Sequence, residues 1–231
     1  MIKLKDILFE NNDEWAPYTV PDIFIPRRVG DRVERYIKQY IRNGSKGNLK
    51  LSFMALKRLP AILKDVEVEG DFLCSGNYIE TLENFPKKIG GGIDISWNSL
   101  KSLEGLNIES VNGTSYGYGF DCKGNHLPNL IGGPKIVYGG YYCSENDMTS
   151  LKGAPTTVDG NFYCSHNKLT TLEGGPITVT KDYSANFNKL ETLKGLPKHI
   201  GGNLSLIALN KIFTQAQIRA ISDIKGRIEL V

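Results

Sequence analysis

Residues 162–176 read FYCSHNKLTTLEGGP, and the same pattern returns at an equal step on either side. It begins at Tyr141 as YYCSENDMTSLKGAP and at Tyr183 as YSANFNKLETLKGLP. Upstream copies are FLCSGNYIETLENFP from Phe72, IDISWNSLKSLEGLN from Ile93 and FDCKGNHLPNLIGGP from Phe120. Each closes with an aliphatic residue and a Gly-rich corner, as in KKIGGG, KIVYGG, TTVDGN and KHIGGN. Degenerate copies flank the array: NLKLSFMALKRLP, with its core at Leu49 and Leu51, and LSLIAL from Leu204. Within a unit, Phe162 and Cys164 point to one face, as alternate residues of a strand do. Asn167 fits no helical period, and the Gly-x-Pro forces a tight return. The step from Tyr141 to Phe162 to Tyr183 is too short for two helices and suits one strand plus a compact return. The expected fold is a parallel β-solenoid of about eight short strands, in which each coil buries its apolar face only against its neighbours.

The motif F-x-C-S-x-N-x-L-x-x-L resembles the L-x-L-x-x-N-x-L core of leucine-rich repeats, whose units run 20–29 residues. The following L-E-G-x-P-x-x-V-x-G is similar to the short bacterial subtype, in which a Pro-rich extended segment replaces the convex helix. The resemblance covers residues 49–209. It departs from the common pattern in placing Cys or Ile where Leu is usual, and Phe or Tyr at the core site before it. Cys/Asn/Gly-rich units of this type also resemble repeat proteins encoded by large tailed phages.

The repeat assigns structural roles to residues that would otherwise suggest chemistry. Cys74, Cys122, Cys143 and Cys164 share one slot with Ile95, Ala185 and Leu206, so the slot asks for a small or medium apolar group, which a free thiol supplies. Zinc ligands come in closely spaced pairs, whereas each of these cysteines stands at least a whole repeat from the next. Asn77, Asn98, Asn125, Asn146, Asn167 and Asn188 form a second column, where a buried carboxamide satisfies backbone groups orphaned at the strand exit. Met54 and Leu209 replace it in the edge copies. No catalytic residue, metal site or cofactor is expected, and the protein is read as non-enzymatic. Repeat effectors that carry a ubiquitin ligase need a large catalytic domain after the repeats, and here only residues 210–231 follow Leu209.

Of the net charge of +3, residues 1–48 contribute 9 Lys/Arg against 7 Asp/Glu and residues 210–231 contribute 4 against 2, leaving the repeats slightly acidic. A nucleic-acid binder needs a basic stripe on its working surface, so nucleic acid is disfavoured as the main ligand. No apolar run reaches the ~18 residues of a membrane span.

A solenoid needs caps at its open ends. Residues 31–48 contain a helix opened by Asp31 and Glu34, with Val33, Tyr36, Ile37, Tyr40 and Ile41 on one stripe and Asn43-Gly44 as its stop. In residues 210–231, Thr214 and Gln217 open a second helix, with Ile218, Ile221 and Ile224 along it and Gly226 at its end, and RIELV offers a last strand. Residues 11–30 are Pro-rich and aperiodic, an extended arm or linker. The first ten, MIKLKDILFE, carry Lys3, Lys5 and Asp6 among their apolar residues, unlike a secretory signal. They resemble the capsid-targeting propeptides of internal head proteins in T-even-type phages, with Leu8-Phe9-Glu10 at the cleavage point and Glu10 as its last residue. The alternative is a short amphipathic helix. The expected compartment is a bacterial host cytoplasm or the virion itself.

Binding is expected on the strand face. Its outward positions are Leu73, Asp94, Asp121, Tyr142, Tyr163, Ser184 and Ser205 in one set, and Ser75, Ser96, Lys123, Ser144, Ser165 and Asn186 in the other. Tyr and Trp are favoured interface anchors, so Trp97, Tyr142 and Tyr163 lead, with Asp94, Asp121 and the solvent-facing His166 beside them. The competing reading is a solvated sheet whose Tyr rings stack between coils. Six extra residues between Leu103 and Phe120 place VNGTSYGYG in a loop outside the coil, adding Tyr116 and Tyr118 as candidates, although such insertions are also tolerated neutrally. The expected partner is a protein of the host or of the virion.

Overall fold

The computed structural model describes residues 27–113 and 117–230, with side chains from residue 30. The propeptide-like residues 1–10 with Glu10, most of the 11–30 arm, and Tyr116 lie outside the described residues. The repeats wind into a parallel β-solenoid. Its front sheet has nine strands in chain order: Leu49–Lys50, Phe72–Leu73, Ile93–Asp94, Tyr118–Asp121, Gly140–Tyr142, Phe162–Tyr163, Tyr183–Ser184, Leu204–Ser205 and Ile228–Glu229. The register follows the sequence period, with Phe162 paired to Tyr141 on one side and Tyr183 on the other.

A second sheet closes the back of each coil, where the sequence suggested only a Pro-rich return. Six strands run in parallel order there: Ser110–Val111, Ile136–Tyr138, Thr157–Asp159, Thr178–Val179, His199–Ile200 and Asp223–Ile224. A separate pair, Glu67–Val68 and Lys88–Ile89, precedes them. Each contributes one buried aliphatic residue between two more exposed neighbours, as in Thr157-Val158-Asp159. One buried residue per strand leaves no alternation to detect, so the sequence showed the residue and hid the strand.

Between the sheets the interior is built of columns. Phe120, Tyr141, Phe162 and Tyr183 stack at centroid distances of 5.1, 5.6 and 5.5 Å. All four cysteines are free and fully buried, and burial raises their pKa values, that of Cys164 to about 12. The asparagine column behaves as its chemistry requires. Asn167 Nδ2 donates to the carbonyls of Cys164 (3.1 Å) and Ser165 (3.2 Å) in its own coil and of Cys143 (3.2 Å) in the preceding one. Its Oδ1 accepts the Met148 N–H at 3.0 Å. One side chain therefore closes its own turn and ties it to the coil before.

Both ends differ from the sequence reading. The N-terminal helix spans Arg27–Arg42, so Asp31 lies inside it rather than capping it, and residues 27–30 belong to the helix instead of the arm. Gly30 costs only about 1 kcal/mol in a helix, too little to stop one that buries Val33, Ile37 and Tyr40 on the first coil. Tyr40 Oη donates to the Ser45 and Gly47 carbonyls at 2.6 and 3.0 Å, fixing the turn into the array. At the other end the Thr214/Gln217 capping box is present, but the helix spans only Gln215–Arg219. Ile221 is 49% exposed, and Ile224 sits on the last back strand. The i, i+3 spacing of Ile218, Ile221 and Ile224 imitates a helix. Strand pairing wins because Asp223 N–H and Lys225 N–H donate to Lys198 and Ile200 carbonyls at 2.8 and 3.0 Å, donors that a longer helix would withdraw.

Two substitutions separate the columns. Asn167→Ala should lower the unfolding free energy by about 3 kcal/mol, since it orphans buried groups in two coils, whereas Cys164→Ala should cost about 1–2 kcal/mol of packing. Urea denaturation of the two variants measures both. Tyr141 Oη is buried with no hydrogen-bond partner among the described residues, so Tyr141→Phe should gain about 1 kcal/mol in the same assay.

Candidate functional site

The residues proposed from the sequence fall into two neighbouring rows. The first is the outward row of the front sheet, where Asp94, Asp121, Tyr142 and Tyr163 stand on successive strands in register. The second is the slot that follows the front strands, holding Trp97 and His166.

Tyr142 is held on three sides. Its ring folds back over Gly140, where a Cβ would come within 2.4 Å of a ring carbon, so a larger residue there would displace the ring. Tyr163 meets it edge-on at 5.2 Å, and Tyr118 meets it edge-on from the other side at 5.1 Å. Its hydroxyl accepts from Asn161 Nδ2 at 3.4 Å. Such contacts contribute about 0.5–1.5 kcal/mol each beyond area burial. Tyr118 corrects the sequence reading of the insertion. Val111 is buried on a back strand and Tyr118 starts a front strand, so VNGTSYGYG is not wholly an external loop. A bulge between Tyr118 and Phe120 shifts the register by one residue and brings Tyr118 to Tyr142 of the next coil. Strand face and insertion, treated as separate candidates in the sequence, form one aromatic row.

Asp121 borders that row and is only 7% exposed. Its Oδ1 accepts the Lys123 N–H at 3.0 Å, and Lys123 Nζ approaches Oδ2 at 4.0 Å. Burial, reinforced by the Asp94 charge on the adjacent strand and opposed by Lys123, pushes the Asp121 carboxyl up to about 6 from its ordinary 3.8. Asp94 Oδ1 is occupied by the N–H and hydroxyl of Ser96 at 3.0 and 2.6 Å. A charge kept at such a cost on a surface row marks a functional candidate.

The serine set has a different role from the one its position suggested. Ser144 Oγ accepts the Ser165 N–H and Ser165 Oγ accepts the Asn186 N–H, both at 3.1 Å. These hydroxyls complete the backbone bonding at the strand exits, leaving less of the polar face for a ligand.

In the second row, every residue from Phe53 through Gly76, Trp97, Gly124, Glu145 and His166 to Phe187 has φ between 52° and 66°. The free variation that pointed to solvent exposure is real, but the backbone there is left-handed, which costs a large side chain about 1–2 kcal/mol. The glycines at two of these positions were the available signal. Trp97 is 50% exposed and lies across Gly124, where a Cβ would come within 2.5 Å of the indole. His166 stacks on Phe187 at 4.5 Å and makes no hydrogen bond or ring contact to Tyr163 or Tyr142 among the described residues.

Among the described residues, no group of three or more His, Cys, Asp or Glu is placed to hold a metal ion, and no helix is long and apolar enough to cross a membrane. Comparisons with protein-family models, with curated proteins and with solved structures find no match.

The raised Asp121 pKa sets a pH dependence. The folded state holds this proton more tightly than the unfolded chain, so the stabilisation is complete below about pH 4 and is lost as pH rises through about 6. Asp121→Asn keeps the acceptor for the Lys123 N–H. It should be more stable than the parent by roughly 2 kcal/mol at pH 7, with the gap closing near pH 4. Thermal unfolding across that range measures it.

Proposed function

We propose that this chain is a non-enzymatic protein-binding scaffold whose front sheet carries the contact. The observation that supports this reading is the rigid row of Tyr118, Tyr142 and Tyr163. Three amphipathic rings are held in place before any partner arrives, which lowers the entropy cost of binding. The acidic Asp94 and Asp121 lie at one end of the row and add polar selectivity. The four thiols support a non-catalytic role, since a buried thiol with a raised pKa is a poor nucleophile.

The finer assignments belong to the same proposal. The repeats are leucine-rich-repeat-like units of the short phage type, and the partner is a protein of the bacterial host or of the virion. Packaging in a phage head is the second reading, favoured by the resemblance of MIKLKDILFE to a head-targeting propeptide. Mass spectrometry of purified particles tests it, and the expected product begins at Asn11. Absence from particles, or presence with Met1 intact, removes packaging with cleavage.

For the main reading, affinity capture from bacterial lysate should recover a partner with the parent chain and lose it with Tyr142→Ala/Tyr163→Ala. Each of these truncations should cost about 1–2 kcal/mol of binding. Capture unchanged in the double variant would remove the tyrosine row from the interface.

A further inference from the structure

Beyond the tyrosine row the front sheet holds a groove of about 330 Å3. Tyr163, Ser184, Ser205 and Glu229 line it from successive rungs of one outward row. Asp182 stands beside them, near enough to Tyr163 that, after burial, its charge is the next cause holding the phenol pKa above its ordinary value. Asp182 and Glu229 are the groove's two charged groups, and no Lys or Arg among the described residues lines it. Arg227, on the same last coil as Glu229, is not among the lining residues.

The hydrogen-bonding character of this lining is lopsided. Ser205 Oγ gives its proton to Asn186 Oδ1 at 3.1 Å while accepting from Asn186 Nδ2 at 2.8 Å. Ser184 Oγ is engaged with Ser165 Oγ at 2.8 Å. Asp182 Oδ1 accepts the Asn203 N–H at 2.7 Å, which leaves Oδ2 as a further acceptor. The groove thus offers two carboxylates, a hydroxyl whose proton is already committed and an aromatic ring. Hydroxyl and amide donors remain at Tyr163 and Asn203, but both of its charges are negative, so the groove favours a ligand that donates to carboxylates, carries positive charge and has a flat face. Guanidinium meets all three demands: five N–H donors, no acceptor, and a planar cation that stacks on aromatic rings. Glu229 is in register with Ser184, so Asp182 and Glu229 stand two rungs and two residues apart, roughly 12 Å between backbones at ~4.8 Å per rung and ~3.3 Å per residue, and line the groove from two corners.

We propose that this groove takes an arginine side chain of the protein partner, held between Asp182 and Glu229 and stacked on Tyr163. The proposal rests on the front sheet being the protein-binding face, and it names the residue that the face selects.

The full chain, isotope-labelled, is titrated with N-acetyl-arginine amide, with its lysine counterpart and with the uncharged citrulline counterpart, reading the Ser184 and Ser205 amide resonances by NMR. The arginine compound should shift both resonances saturably, and the citrulline compound should leave them in place. Lysine should bind more weakly, and Asp182→Asn/Glu229→Gln should weaken the arginine response by about tenfold. Equal shifts with citrulline overturn the proposal, as do equal affinity for lysine, an unchanged response in the double variant, or no response to arginine. The citrulline comparison uses only the parent chain, so it stands even if the double variant folds poorly. The two readings fail separately. Partner capture lost in Tyr142→Ala/Tyr163→Ala without any arginine response sinks only the groove. An arginine response with capture intact in that variant sinks the tyrosine row as the interface.

Discussion

The structure depends on a carboxamide placed where six of the nine front strands end. A coil this short must leave its strand abruptly, and the turn buries carbonyls and an N–H with no partners of their own. Asparagine is the side chain with two donors and an acceptor on a short stem, and at Asn167 and Asn188 all of that capacity is used within the coil and on the coil before. Burial of the aromatic and cysteine columns follows from this spacing. The tie between coils reinforces the strand pairing that holds the columns of Phe, Tyr and Cys in register.

The same tie explains how five large residues are kept in left-handed backbone. Phe53, Trp97, Glu145, His166 and Phe187 are fixed by the bonds on either side of them, for example the His166 N–H to the Asn186 carbonyl at 2.8 Å. The strain is absorbed by a repeated scaffold that over-determines the turn. A solenoid with this turn can therefore carry almost any side chain at that slot, which is how Trp97 and Phe187 come to be displayed at the surface.

The repeat made the front of the molecule legible because two apolar positions and an asparagine recur together. It said little about the back, where each strand offers a single buried residue such as Val158 or Val179 between more polar neighbours. The C-terminal segment misled in part for a related reason: three isoleucines at helical spacing outweighed the short strand Asp223–Ile224, whose stability comes from the edge it joins, whereas the last strand, Ile228–Glu229, lies within the RIELV that the sequence offered as one. The candidate site was half legible. Tyr142 and Tyr163 were visible as outward positions, but the bulge that brings Tyr118 to Tyr142 depends on pairing between strands. The second Asx column, in which Asn48, Asp71, Asn161, Asp182 and Asn203 take the backbone N–H of the following coil, went unseen. Its members share the slot with Gly92, Gly119 and Gly140 and leave no gap in the hydrophobic pattern.

The constant register between Tyr141, Phe162 and Tyr183 also bears on inheritance. A coil bonded in the same way above and below can be copied or lost whole without orphaning a polar group, so an in-frame tandem duplication of one repeat lengthens the front face by one rung of ~4.8 Å. The exception is the coil that contains Tyr118. Its six extra residues and its bulge match only the neighbour that supplies Gly140 and Tyr142, so recombination can extend the array on either side of this pair but not between its members.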